Sequence, residues 1–120
     1  MSYIATQVQS ILEELFPAKP FPRVFAEHYV NFKGTRLFFD FYVKGYNLFV
    51  EVQGQQHTRF VKHFHGDKKN YQKQRDRDNL KIIWAEENDY HLVRFNYNEK
   101  ITTELVLSKI EKAMEGNFYE

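Results

Sequence analysis

Between Arg36 and His57 the chain reads RLFFDFYVKGYNLFVEVQGQQH. Aromatic and β-branched residues dominate both halves and Lys44-Gly45 separates them, a pattern that predicts two strands joined by a tight turn. Each half carries one acid in an apolar run, Asp40 within FFDFY and Glu51 within LFVEVQG. Strict alternation puts Leu37, Phe39, Phe41 and Val43 on one face, with Phe38, Asp40 and Tyr42 on the other. On the second strand, Leu48, Val50 and Val52 oppose Phe49, Glu51 and Gln53. A carboxylate in such surroundings is costly unless it is paired or bound to a metal. The hairpin must therefore be packed on a core, and its two acids must find partners.

The flanking segments supply the rest of a fold. Ile4, Val8, Ile11, Leu12 and Leu15 recur at helical spacing over residues 3–16, and Pro17 and Pro20 end that helix. The aromatic, β-branched stretch around 24–32 predicts a strand that turns at Lys33-Gly34 into the hairpin. Gly54 closes the third strand, and a polar loop with three histidines follows over 55–66. Residues 67–88 lack Gly and Pro and space Tyr71, Leu80, Ile83 and Trp84 as one long helix. YHLVRFNY (90–97) is a fourth strand, and Thr102 or Thr103 can cap a last helix carrying Leu105, Val106, Ile110 and Met114. The order α-β-β-β-α-β-α is an α/β sheet with helices on its faces, a single domain over residues 1–120.

The chain has no cysteine, which excludes disulfide frameworks and thiolate zinc sites. It has no apolar run of membrane-spanning length and no basic-then-apolar start, so the expectation is a soluble, cytoplasmic protein with no membrane partner. The formal net charge is +1, but the charge is unevenly spread. Arg59, Lys62, Lys68, Lys69, Lys73, Arg75, Arg77 and Lys81 crowd the middle against Asp67, Asp76 and Asp78. Such a segment either solvates the outside of a helix or meets a polyanion.

Asp40 and Glu51 on neighbouring strands can bring two carboxylates to one hard cation. Mg²⁺ takes one or two protein carboxylates together with water and substrate phosphate, and Mn²⁺ substitutes for it. Glu51 can instead pair with a basic residue across the sheet. Gln53 projects beside Glu51, where its amide can orient water or touch a phosphate. His57, just past Gly54, is the histidine best placed for general acid–base work. His63 and His65 lack further ligands for a transition-metal site.

Asp40, ten intervening residues and then Glu51-Val52-Gln53 resemble the PD-(D/E)XK nuclease pattern of an acid, a second acid and a lysine two positions on. With GQQH, the helix containing RDRDNLK and the strand YHLVRFNY, the chain is most similar to the very-short-patch repair and EDxHD homing endonuclease branch. The resemblance covers about residues 24–97. It implies a restriction-endonuclease-like αβββαβα core, with a mixed four-stranded sheet flanked by helices. It also implies that Asp40, Glu51 and the Val52 backbone carbonyl hold the metal, that Gln53 takes the lysine position, and that His57 matches the family histidine. The helical Asp falls on Asp76 or Asp78, with Asp78 the better match through Asp78-x-x-Lys81. The first-helix Glu of the branch is missing, since register points to Gln7 or Val8, and Glu27 is a substitute for it.

The function implied is a Mg²⁺-dependent endodeoxyribonuclease, a phage or mobile-element enzyme or a repair enzyme. In it Arg59, Lys62, Lys68, Lys69, Lys73, Arg75 and Arg77 would neutralise the phosphates of double-stranded DNA. A chain of this size has little room for base readout, so sequence-specific cutting implies a homodimer or an accessory recognition protein. The contrasting expectation is a nucleic-acid-binding module on the same fold without turnover.

Overall fold

A computed structural model describes residues 1–53 and 68–116, and in the second helix all side chains except those of residues 68–71 and 74. The elements are α1 (Tyr3–Leu15), β1 (Val24–Phe32), β2 (Thr35–Val43), β3 (Leu48–Gln53), α2 (Lys68–Glu87), β4 (His91–Asn96) and α3 (Thr103–Met114). Their order is the one that the hydrophobic periodicity predicts. Two helix starts are fixed by side-chain caps: the Ser2 hydroxyl accepts from the Ala5 N–H and the Thr102 hydroxyl from the Leu105 N–H, each at 3.1 Å.

The four strands form one mixed sheet in sequence order. β1 and β2 are antiparallel, as are β2 and β3, whereas β3 and β4 run parallel and are connected through α2. A parallel neighbour requires a long crossover, and the span between β3 and β4 supplies it.

Helices cover both faces of the sheet. On one side, Ala5, Val8 and Leu12 of α1 and Val106, Ile110 and Ala113 of α3 pack on Phe41, Val43, Leu48, Val50, Val93 and Phe95. On the other, Trp84 and Ala85 of α2 pack on Leu37, Phe39, Phe49 and Leu92. The second core is aromatic. Phe49 lies 4.7 Å from Phe39, 5.1 Å from Trp84 and 5.1 Å from Tyr90, measured between ring centroids.

This division corrects the expectation for β2. Leu37 and Phe39 face α2, whereas Phe41 and Val43 face α1 and α3, so the strand changes face between Phe39 and Phe41. β1 changes with it, because Val24 joins the first core while Val30 and Phe32 join the second. The physical cause lies at one level of the ladder. Ala26↔Phe41 and His28↔Phe39 are paired, but Glu27 and Asp40 between them are not, and Glu27 has a φ of +57°. A left-handed residue inside a strand turns the following side chains to the other face. Both halves of the apolar run are thereby buried, in different cores.

Among the described residues β2 pairs with β3 only over Phe41–Val43, whereas its pairing with β1 runs on to Thr35↔Phe32. The outer part of the β1–β2 hairpin therefore stands beyond β3 as a two-stranded arm.

Candidate active site

Asp40 sits where β2 and β3 part. Its Oδ2 accepts the Val52 N–H at 2.8 Å, so a carboxylate takes the place of the carbonyl that a continuing ladder would offer. The strand change at Glu27 and Asp40 thus leaves one backbone donor of β3 satisfied by a side chain, which fixes that side chain in return.

Glu51 turns toward α2 and is almost fully buried. Its Oε1 accepts from Lys81 Nζ at 2.6 Å, and its Oε2 lies 3.8 Å from Arg94 Nε. Arg94 is the residue of β4 in register with Glu51. It reaches on to α2, where Nη2 donates to the Asp78 main-chain oxygen at 3.0 Å. Lys81 and Asp78 are also buried, so the middle of α2 is joined to β3 and β4 by a charged cluster rather than by apolar contact alone. Among the described residues Glu51 Oε2 accepts no hydrogen bond. Burial raises the Glu51 pKa above the ordinary carboxylate value, against the opposing pull of Lys81 and then Arg94, and the nearby charge of Asp40 adds to the rise. The cation pairing that the sequence offered as the alternative for Glu51 is present.

The other residues fall into two groups. Asp40, Glu27, Val52 and Gln53 line a cleft of about 290 Å³ beside Ser2 and Ile4 at the start of α1. Gln53 and Glu27, the substitute acid of the sequence reading, therefore share a cleft with Asp40, while Glu51 faces the α2 side of the sheet, so the expected common point of Asp40, Glu51 and Gln53 is divided between the two sides. On α2, Asp78 turns inward, whereas Asp76 is exposed and accepts from Gln72 Nε2 at 3.0 Å. Lys73, Arg75 and Arg77 are exposed. Lys68 and Lys69 begin α2, and their side chains, like all of His57, Arg59 and Lys62, lie outside the described residues.

Among the described residues no three His, Cys, Asp or Glu side chains gather as a metal cage. A hard cation needs fewer, because one or two carboxylates suffice when water and phosphate complete the shell. Asp40 and Glu51 supply only oxygen donors, the chemistry of a hard cation rather than a softer metal, but Glu51 is held by Lys81 and Arg94 on the α2 side while Asp40 lines the cleft beside α1.

No family model matches the chain, and no solved structure matches it. Over 72 residues, 60% of the chain, it is 32% identical to the uncharacterized protein 307L of Invertebrate iridescent virus 6. The chain spans about a third of that relative, 36% of its length.

Two residues of the charged cluster escape a reading of the sequence as a site. Lys81 enters it only as the end of Asp78-x-x-Lys81, although its spacing from Trp84 and Ala85 puts it on the inward side of α2. Arg94 is a lone charge in the apolar run HLVRF, the same signal that singles out Asp40 and Glu51. No helix among the described residues is long and apolar enough to cross a membrane.

Proposed function

We propose that this chain is a metal-dependent endodeoxyribonuclease of the PD-(D/E)XK type, with the restriction-endonuclease-like core that the Asp40 and Glu51-Val52-Gln53 pattern implies. The observation that carries the reading is the placement of Asp40 and Glu51. At the parting of β2 and β3, Asp40 is bonded to the N–H of Val52, the residue that follows Glu51, and a buried lysine sits on Glu51. The family lysine is replaced by Gln53, and Lys81 brings from α2 the positive charge that this amide lacks. The mixed four-stranded sheet between helices is compatible with that core.

Asp40, Glu51 and the Val52 carbonyl would hold the ion. When bound, Mg²⁺ (or Mn²⁺) would stabilise negative charge on the phosphoryl oxygens. The chain's own residues do the rest. The Val52 N–H holds the Asp40 carboxylate in place, and Arg94 and Lys81 hold Glu51. Gln53 lines the same cleft as Asp40, where its amide would orient water or a phosphate oxygen. Asp78 anchors Arg94 through its main-chain oxygen. His57 is the proposed proton carrier. Arg59, Lys62, Lys68, Lys69, Lys73, Arg75 and Arg77 would meet the DNA backbone. A phage, mobile-element or repair setting, in a cytoplasmic compartment, belongs to the same proposal.

Plasmid DNA incubated with Mg²⁺ should be nicked or linearised, and chelator should stop it. Asp40→Asn and Glu51→Gln should each lower the rate by at least about a hundredfold, since each removes charge stabilisation of the transition state. Wild-type cleavage in chelator, or variants as active as wild type, would overturn the reading. A second reading rests on Glu51 being held by two cations: a nucleic-acid-binding module on this fold without turnover. It predicts DNA binding at low salt and no cleavage in either metal.

A further inference from the structure

The arm of β1 and β2 and the middle of α2 enclose a second cleft, of about 520 Å³. Gly34, Thr35 and Arg36 lie on its β2 side, and Arg77, Asp78 and Lys81 on its α2 side. Among the described residues three cations thus face a single carboxylate. Lys81 is committed to Glu51, but Arg36 and Arg77 are exposed and come from opposite walls. Arg36 is also held in place, because its guanidinium lies 4.0 Å from the centroid of the Tyr29 ring. Tyr29 in turn packs on Phe38, which lines the cleft, with ring centroids 5.0 Å apart. Tyr29 is half exposed, so a ring face and a planar cation are offered together at the rim.

We infer that this cleft binds one unpaired strand of DNA, with a phosphate between Arg36 and Arg77 and a base stacked at the Tyr29–Arg36 rim. Opposed cations with an adjacent stacking surface are what a single strand requires, since its backbone is charged and its base faces are open. The volume lies in the range that holds one small-molecule-sized ligand, about 300–1,000 Å³, which suits one phosphate with one base. Lys81 connects the cleft to the candidate active site, because it lines the one and donates to Glu51 in the other. The inference deepens the nuclease reading and rests on it for the strand being substrate. The preferred substrate would then carry an unpaired segment, as at a flap, branch or mismatch.

The test is fluorescence anisotropy in chelator with one labelled oligonucleotide, presented as a DNA strand, as a duplex and as the RNA equivalent, over a salt series. Wild type should prefer the DNA strand to the duplex. Arg36→Ala combined with Arg77→Ala should weaken strand binding about tenfold and make the salt slope shallower by about 0.7, the share of the one phosphate held between them. Lys44→Ala, remote from this cleft, should change neither. Tyr29→Leu should weaken strand binding without changing the slope. Equal affinity for strand and duplex, preference for RNA, or a double variant with wild-type affinity and slope overturns the inference. Cleavage in Mg²⁺ is scored separately. A double variant that binds normally while wild type cleaves removes the cleft and leaves the nuclease reading. Cleft-dependent strand binding without cleavage does the reverse.

Discussion

At Glu51 the decisive quantity is the balance between burial and two cations. Burial raises its pKa while Lys81 and Arg94 oppose the rise, so the folded chain binds this proton more readily than the unfolded chain does. The group's contribution to stability is therefore greatest below its ordinary pKa of 4.5 and is lost as pH rises through the higher folded-state pKa. Lys81→Met removes the nearer cation and leaves the carboxylate buried. It should cost about 3 kcal/mol in mildly alkaline buffer, and less in acid, where Glu51 takes up a proton. Urea titrations at the two pH values check this, and a loss independent of pH would show that packing of the lysine stem dominates. At Glu27 the backbone carries the strain. Its left-handed φ costs a residue with a Cβ about 1–2 kcal/mol, so Glu27→Gly should raise the urea midpoint by the equivalent of up to about 1 kcal/mol, after the extra unfolded-state entropy of glycine.

Among the elements β3 enters both cores within three consecutive residues, as β2 and β4 also contribute to both. Leu48 and Val50 enter the α1–α3 core and Phe49 the α2 core, so the strand is apolar on both sides until Glu51. Phe49 also stacks on Tyr42 at 4.8 Å. Removing its ring opens a cavity among side chains that have no other way to fill it, and Phe49→Ala should cost about 3–5 kcal/mol in thermal or urea unfolding. α2 is different in kind. It is polar over most of its length, and it meets the sheet through Trp84 and Ala85 at one end and the Glu51–Lys81–Arg94 cluster at its middle. Its attachment is thus partly electrostatic, and Lys81, which holds it to Glu51, also lines the cleft between α2 and the arm of β1 and β2.

At the scale of the whole molecule, one sheet lies between two helical layers, and neither core can persist without β3 and β4. Unfolding should therefore be a single transition. Trp84 is the one tryptophan of the sequence and reports on the α2 layer, whereas far-ultraviolet circular dichroism reports on all elements. Their urea curves should coincide. Separate midpoints would mean that α2 leaves the sheet on its own. The arrangement also opens two clefts with different linings. The cleft beside α1 gathers Asp40, Glu27 and Gln53, and the cleft beside α2 gathers the cations, with Glu51 and Lys81 adjoining the second.

Element type and order were legible in the chain itself, because each apolar period is long and its stops are chemical: Pro17 after α1, Lys33-Gly34 and Lys44-Gly45 between strands, Thr102 before α3. Asp40 and Glu51 were legible too, as charges in apolar runs. What only the tertiary structure decided was the facing of β2. Alternation is a local rule, and it breaks at the level of the ladder where Glu27 is left-handed and Glu27 and Asp40 are not paired. The partners of Glu51 were decided in the same way, since Lys81 lies thirty residues away and only the packing of α2 on the sheet brings it to the carboxylate. Spacing along a chain sets which side chains share a face of one element, whereas the charge that answers a buried acid is chosen by how the elements pack.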